Sequence, residues 1–178
     1  MEFQSELWVI LQDDEYDRVW DNLETEFRFN PRSAVNGLPT FSFPIPVDAY
    51  SLGEYSVWCE NESINNGIIK TVFIECMEDD DYMYALDWQH TCFRYNPRIR
   101  DTIEYPVFIP DEKKPSLGYN VYFPEFYPDG DFYFFVAKDF RWGYLTHPWL
   151  NKVWVFGDKL ISLIKKYSEK LGFMPCPV

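Results

Sequence analysis

The chain has two histidines, His90 and His147, and each lies in a segment dense with groups able to do chemistry. His90 closes the run Ala85-Leu86-Asp87-Trp88-Gln89-His90, and His147 opens His147-Pro148-Trp149. An imidazole gives or takes a proton near neutral pH, and a carboxylate such as Asp87 can orient it. Two imidazoles and a carboxylate are also a donor set for a divalent metal. Asp87, His90 and His147 are therefore the residues that would carry catalysis if the chain is an enzyme. Asp87 and His90 are three apart, which sends them to opposite faces of a strand unless the strand ends between them. No Ser or Cys in an elbow motif accompanies them, and the sequence holds no Gly-rich phosphate loop and no H-E-x-x-H. The competing reading is structural: Trp88, His90, His147 and Trp149 pack and hydrogen-bond to lock strand ends to a loop. That reading is preferred, so neither a cofactor nor a metal is expected.

The cysteines are Cys59, Cys76, Cys92 and Cys176, with no C-x-x-C pair. They read as reduced thiols, Cys76 and Cys92 as core residues, and none as part of a zinc site.

The elements that must position these groups follow from periodicity. Tyr16, Val19, Trp20, Leu23 and Phe27 form one apolar stripe, which predicts a helix over 13–27 capped by Gln12 or Asp13. Residues 31–55 read as loop and extended chain, with a short edge strand at Thr40-Phe41-Ser42-Phe43. Residues 63–77 carry both signals: Ile64, Ile68, Val72 and Cys76 at helical spacing behind Ser63, yet also Asn66-Gly67 and a β-branched run. A helix is the reading taken. Strands are expected at Tyr82–Trp88, Thr91–Tyr95, Tyr105–Ile109 and Lys152–Phe156. A hairpin is expected between Asn120–Tyr127 and Phe132–Phe140, turning at Pro128-Asp129-Gly130-Asp131. Phe132 to Ala137 is apolar on both faces and belongs in the middle of a sheet. A terminal helix follows Gly157-Asp158, with Leu160, Ile161, Ile164, Tyr167 and Leu171 inward and Gly172 as its cap. Together these predict a single α+β domain over 1–178, its largely antiparallel sheet flanked by an N-terminal and a C-terminal helix. Trp20, Leu23, Phe134, Val136, Trp154, Ile161 and Ile164 are expected to be buried together.

Charge narrows the function classes. The formal net charge is -13, and residues 1–90 hold 19 acids against four bases, Arg18, Arg28, Arg32 and Lys70. Direct nucleic-acid binding is disfavoured, because neutralising phosphates needs a basic surface. An acidic field speeds association with a basic or basic-grooved protein. The surface expected to meet it comprises Asp13, Asp14, Asp17, Asp21 and Glu24 on the first helix, and the knot Glu78, Asp79, Asp80 and Asp81. Trp142 and Tyr144, if exposed, would be aromatic anchors. No apolar run is long enough to span a membrane, and the first residues lack a basic and apolar leader. A cytoplasmic protein is expected.

Two segments carry a resemblance. One is Ala85 to His90. The other runs Pro128-Asp129-Gly130-Asp131-Phe132-Tyr133-Phe134-Phe135 through Lys138-Asp139-Phe140 and Gly143 to His147-Pro148-Trp149, then Val155-Phe156-Gly157-Asp158. With Glu15–Trp20, they resemble a bacterial domain-of-unknown-function family, number two-seven-one-six. The resemblance implies a single-domain cytoplasmic protein and brings no chemistry with it. Three functions fit: an immunity protein or antitoxin that neutralises a toxin enzyme, a phage- or host-encoded inhibitor of a defence protein acting through an acidic surface, with nucleic-acid mimicry as one way it could act, and an enzyme using Asp87, His90 and His147. They are ranked in that order.

Overall fold

A computed structural model describes residues 6–32, 39–78, 82–100, 106–111, 113–114 and 116–178. In chain order these form β1 (Trp8–Ile10), α1 (Asp13–Glu26), β2 (Val47–Ser51), α2 (Tyr55–Glu60), α3 (Glu62–Met77), β3 (Met83–Asp87), β4 (Phe93–Tyr95), β5 (Val107–Pro110) and β6 (Gly118–Val121). They continue with β7 (Tyr133–Ala137), β8 (Gly143–His147), β9 (Lys152–Phe156), α4 (Asp158–Leu171) and β10 (Met174–Cys176). Eight strands make one sheet in the order β1-β4-β3-β7-β8-β9-β2-β10, and β5 and β6 pair separately. Every pairing is antiparallel. This is the expected α+β domain, with β7 near the centre of its sheet. No helix among the described residues is long and apolar enough to cross a membrane.

The sheet has a core on each face. Alternation sends Tyr84, Leu86, Phe132, Phe134 and Val136 toward α1, whose Val19, Trp20 and Leu23 cover them. The alternate positions Met83, Ala85, Tyr133, Phe135 and Ala137 face α3 and α4. The residues expected to share one core are thus divided by the sheet. Trp20, Leu23, Phe134, Val136 and Trp154 lie on the α1 side, Ile164 and the partly buried Ile161 on the other.

Other local expectations shift for identifiable reasons. Residues 40–43 form no strand. The Asn30 N–H donates to the Thr40 carbonyl and the Ser42 N–H to that of Phe27, so the segment folds back on the end of α1. Phe41 stacks on Phe29 there, with centroids 5.3 Å apart. The helix at 62–77 forms, but Asn61 holds its N-cap position instead of Ser63. Its buried stripe is Ile69, Val72, Phe73, Cys76 and Met77, leaving Ile64 64% exposed. The expected hairpin partner of β7 pairs with β5 instead, because Pro124 and Pro128 interrupt the chain between β6 and β7. Phe126 then covers β7 from the α3 side, its ring 4.7 Å from Phe135.

Trp142-Gly143-Tyr144-Leu145 has the composition of a turn, yet from Gly143 onward it is strand β8. The chain reverses one step earlier, through Phe140 at φ 60°. A Cβ at Gly143 would lie 2.6 Å from the Phe156 ring and 2.8 Å from Val136 Cγ1, so only glycine lets β9 and β7 close around it. Gly172 caps α4 in the left-handed conformation, as its position predicts.

The acids of α1 fall into two kinds. Glu15 turns inward and receives Arg94 at 2.7–3.0 Å through both carboxylate oxygens, along with the Tyr84 hydroxyl at 3.0 Å. Asp13, Asp14, Asp17, Asp21 and Glu24 are exposed. Glu15→Ala is expected to cost about 2 kcal/mol, since it removes the charge-assisted hydrogen bonds from Arg94 and the bond from the Tyr84 hydroxyl. Asp17→Asn should change stability by no more than about 0.5 kcal/mol. Urea unfolding of the two variants checks the contrast.

Candidate functional site

A cleft of about 880 Å³ opens on the α3 side of the sheet. Asp87 and Tyr133 lie at its floor as a cross-strand pair on β3 and β7. Glu62, Asn66 and Lys70 of α3 line one wall, and residues 119–126 the other. Glu62, Glu125, Asp129 and Asp131 join Asp87 in its lining, so the cleft is strongly acidic and attracts cations.

Two turns meet at its edge. β3 ends at Asp87, and the His90 N–H donates back to the Asp87 carbonyl at 3.1 Å, with Gln89 at φ 68°. That tight turn brings His90 beside Asp87, which an extended strand would not do. The Trp88 N–H donates to the Phe132 carbonyl at 3.1 Å, tying this turn to the one at Pro128–Asp131. Asp131 Oδ2 then lies 3.5 Å from His90 Nε2. A carboxylate oxygen each from Asp87 and Asp131 and a His90 ring nitrogen lie within 4.8 Å of one another. Tyr133 donates its hydroxyl to Asp129 at 3.1 Å.

Asp87 is the unusual member. It is 7% exposed, and its Oδ1 has no hydrogen-bond partner. Burial, then the charges of Asp131 and Asp129, push its carboxyl up to about 8. Glu125 is raised in the same way, by burial first and then by Asp129 and Glu62.

His147 does not join this group. It lies on β8 with its ring among Phe132 and Trp154, on the α1 side of the sheet, whereas Asp87 faces α3. The ring is fully buried. Its Nδ1 accepts the Leu150 N–H at 3.3 Å, which leaves the proton on Nε2, 3.0 Å from Thr40 Oγ1. A second proton has no acceptor there, and burial lowers the ring to about 4. The trio Asp87, His90 and His147 is thus not brought together. His147 has the structural role and His90 stands exposed at the cleft, with Asp131 in the third place. Sequence reasoning missed Asp131 because Asp129-Gly130-Asp131 reads first as turn chemistry.

The burial of His147 has a pH consequence. An unfolded imidazole titrates near 6.5. Between that value and about 4, the unfolded chain holds a proton that the folded chain refuses. Stability present above pH 6.5 is therefore lost as pH falls, by about 3 kcal/mol from this group. An NMR titration should find His147 neutral at pH 5, and titration near 6.5 would contradict the assignment.

The other expected contact residues are placed as follows. Trp142 and Tyr144 are buried at 4% and 0% exposure, so they are core and cannot anchor a partner. Tyr144 donates its hydroxyl to the Phe126 carbonyl at 2.7 Å. Glu78 is exposed, 3.2 Å from Lys159 Nζ. Asp79, Asp80 and Asp81 lie outside the described residues. Trp149 is 58% exposed and rests on Phe132 and His147, which places it on the α1 side of the sheet.

Comparison with known proteins gives a consistent picture. A family model described as a protein of unknown function, DUF2716, matches residues 10–161. The chain is also similar to the uncharacterized protein YxiI of Bacillus subtilis (strain 168), at 26% identity over 167 residues, 88% of this chain and 91% of that one. No solved structure matches.

Proposed function

This chain belongs to the family described as a protein of unknown function, DUF2716, and we propose that it is a small acidic binding protein that neutralises a basic-grooved partner, as an immunity protein or antitoxin does a toxin enzyme. The observation that carries the proposal is the outer row of α1. Asp14, Asp17, Asp21 and Glu24 are exposed and, with Asp13, form no ion pair within 4.0 Å among the described residues. Arg18, on the same helix, is engaged with Glu15 and the Tyr84 hydroxyl. Asp17 and Asp21 are one turn apart, as are Asp13 and Asp17, and each such like-charge pair weakens a helix by about 0.2–0.5 kcal/mol. Glu24 and Glu26 add charge at the negative end of the dipole, and the last turn holds no basic residue. A cationic groove would relieve this repulsion. Trp149, exposed on the same side of the sheet, supplies an aromatic of the kind that anchors interfaces.

Affinity capture with the wild-type chain and with a variant carrying Lys at positions 14, 17, 21 and 24 tests the reading. A basic protein should be retained by the wild type, eluted by salt and absent from the variant. Equal retention by both would refute it.

A further inference from the structure

We propose that Asp87, His90 and Asp131 bind one divalent first-row transition cation, Mn²⁺ or Zn²⁺, in a site open to the cleft. The site lies on the opposite face of the sheet from the acidic row of α1 and does not depend on the docking proposal.

Three observations support it. The first is proximity: two carboxylate oxygens and one imidazole nitrogen, from turns about forty residues apart in sequence, lie within 4.8 Å of one another. The second is the buried Oδ1 of Asp87, which has no hydrogen-bond partner. An acceptor removed from water without a donor is costly, and a bound cation would satisfy it. The third is the distance between His90 Nε2 and Asp131 Oδ2, 3.5 Å. That is longer than a charge-assisted hydrogen bond of about 2.7–2.9 Å. It matches the edge, about 3.4 Å, between two tetrahedral ligands bonded at about 2.1 Å.

The donor set selects the metal. One imidazole and two carboxylates suit borderline and hard divalent ions and disfavour Cu(I), which prefers sulfur. Cys92 is no competitor, for it is buried in the core on the α1 side. Three ligands leave at least one coordination position facing the cleft, the arrangement of sites that hold a water or a substrate group and not of closed structural sites. Asp129, held by the Tyr133 hydroxyl, adds negative charge just outside the ligand set.

The test uses the full chain after chelator treatment. Mn²⁺ is titrated and followed by the electron paramagnetic resonance signal of the free ion, and Zn²⁺ by calorimetry. One saturable site is expected. His90→Ala, Asp131→Asn and Asp87→Asn should each weaken it by at least about tenfold, while Glu169→Gln, at an exposed position of α4 outside the cleft lining, leaves it unchanged. His90 is exposed and Asp131 half-buried, so their variants carry the test even if the Asp87 variant fails to fold. Absence of saturable binding at millimolar metal would overturn the site, as would binding that survives both His90→Ala and Asp131→Asn.

Discussion

Phe134→Ala is expected to remove about 3–5 kcal/mol of folding stability. A domain of this kind has only about 5–15 kcal/mol in total, so the variant should be close to unfolding at ambient temperature. Phe134 is fully buried in β7, between Leu86 of β3 and Leu145 of β8. Its ring meets Phe29 at 5.0 Å, Phe41 at 5.5 Å and Trp20 at 5.8 Å. Those neighbours come from α1 and from the two arms of the segment that follows it. Each is held by its own packing, so none can move in to fill the space a lost ring would leave. Aromatic pairs of this geometry add about 0.5–1.5 kcal/mol each beyond area burial. Urea denaturation would measure the loss. A loss below about 1 kcal/mol would mean that β7 is not the central strand joining the two cores.

The elements with a strong single-face period were legible in the sequence. In α1, Val19, Trp20 and Leu23 form the buried stripe, and in α4 Leu160, Ile164 and Leu171 do. The doubly apolar run in β7 indicated burial on both faces, and its neighbours β3 and β8 supply it. What escaped was set by tertiary pairing. β2 is a five-residue strand in a stretch punctuated by prolines and glycines, and it exists because β9 and β10 flank it. β8 looks like a turn because Gly143 follows Trp142, yet that glycine is required by the Phe156 ring and not by a reversal of the chain. Pro128-Asp129-Gly130-Asp131 reads as the turn of a hairpin between Asn120–Tyr127 and Phe132–Phe140, yet β6 pairs with β5. Turn residues mark where a chain bends and not which strand it returns to.

The site was half legible. Asp87 and His90 were identifiable because a carboxylate and a rare imidazole share one segment, and the tight turn through Gln89 lets them meet. His147 could not be separated from them by sequence, because its exclusion depends on which face of β8 it occupies. Asp131 was visible only as part of a turn, and its approach to His90 arises from the contact between two turns. The acidic row of α1 was fully legible, since a helix that buries one stripe must expose the rest. The anchor aromatics were not. Trp142 and Tyr144 are inside, whereas Trp149 is exposed.

The second large effect concerns association. Converting Asp14, Asp17, Asp21 and Glu24 to Lys changes the charge of one helix face by about eight units without touching the buried stripe. Steered encounters run up to about 10⁸–10⁹ M⁻¹s⁻¹ at low salt, against about 10⁵–10⁶ for unsteered ones. The substitutions should therefore slow association by at least about a hundredfold while the unfolding midpoint stays near that of the wild type. Charge changes among Lys165, Lys166 and Lys170 at the end of α4 should have little effect. The most direct measurement of the docking claim is the association rate with the captured partner, for wild type and the four-Lys variant, across a salt series. The Debye length falls from about 10 Å at 0.1 M to about 3 Å at 1 M, so the wild-type rate should fall steeply with salt. The variant should be slow throughout and should show no such fall. A rate indifferent to salt and to all four substitutions would contradict the claim and reduce the acidic face of α1 to a solvated surface.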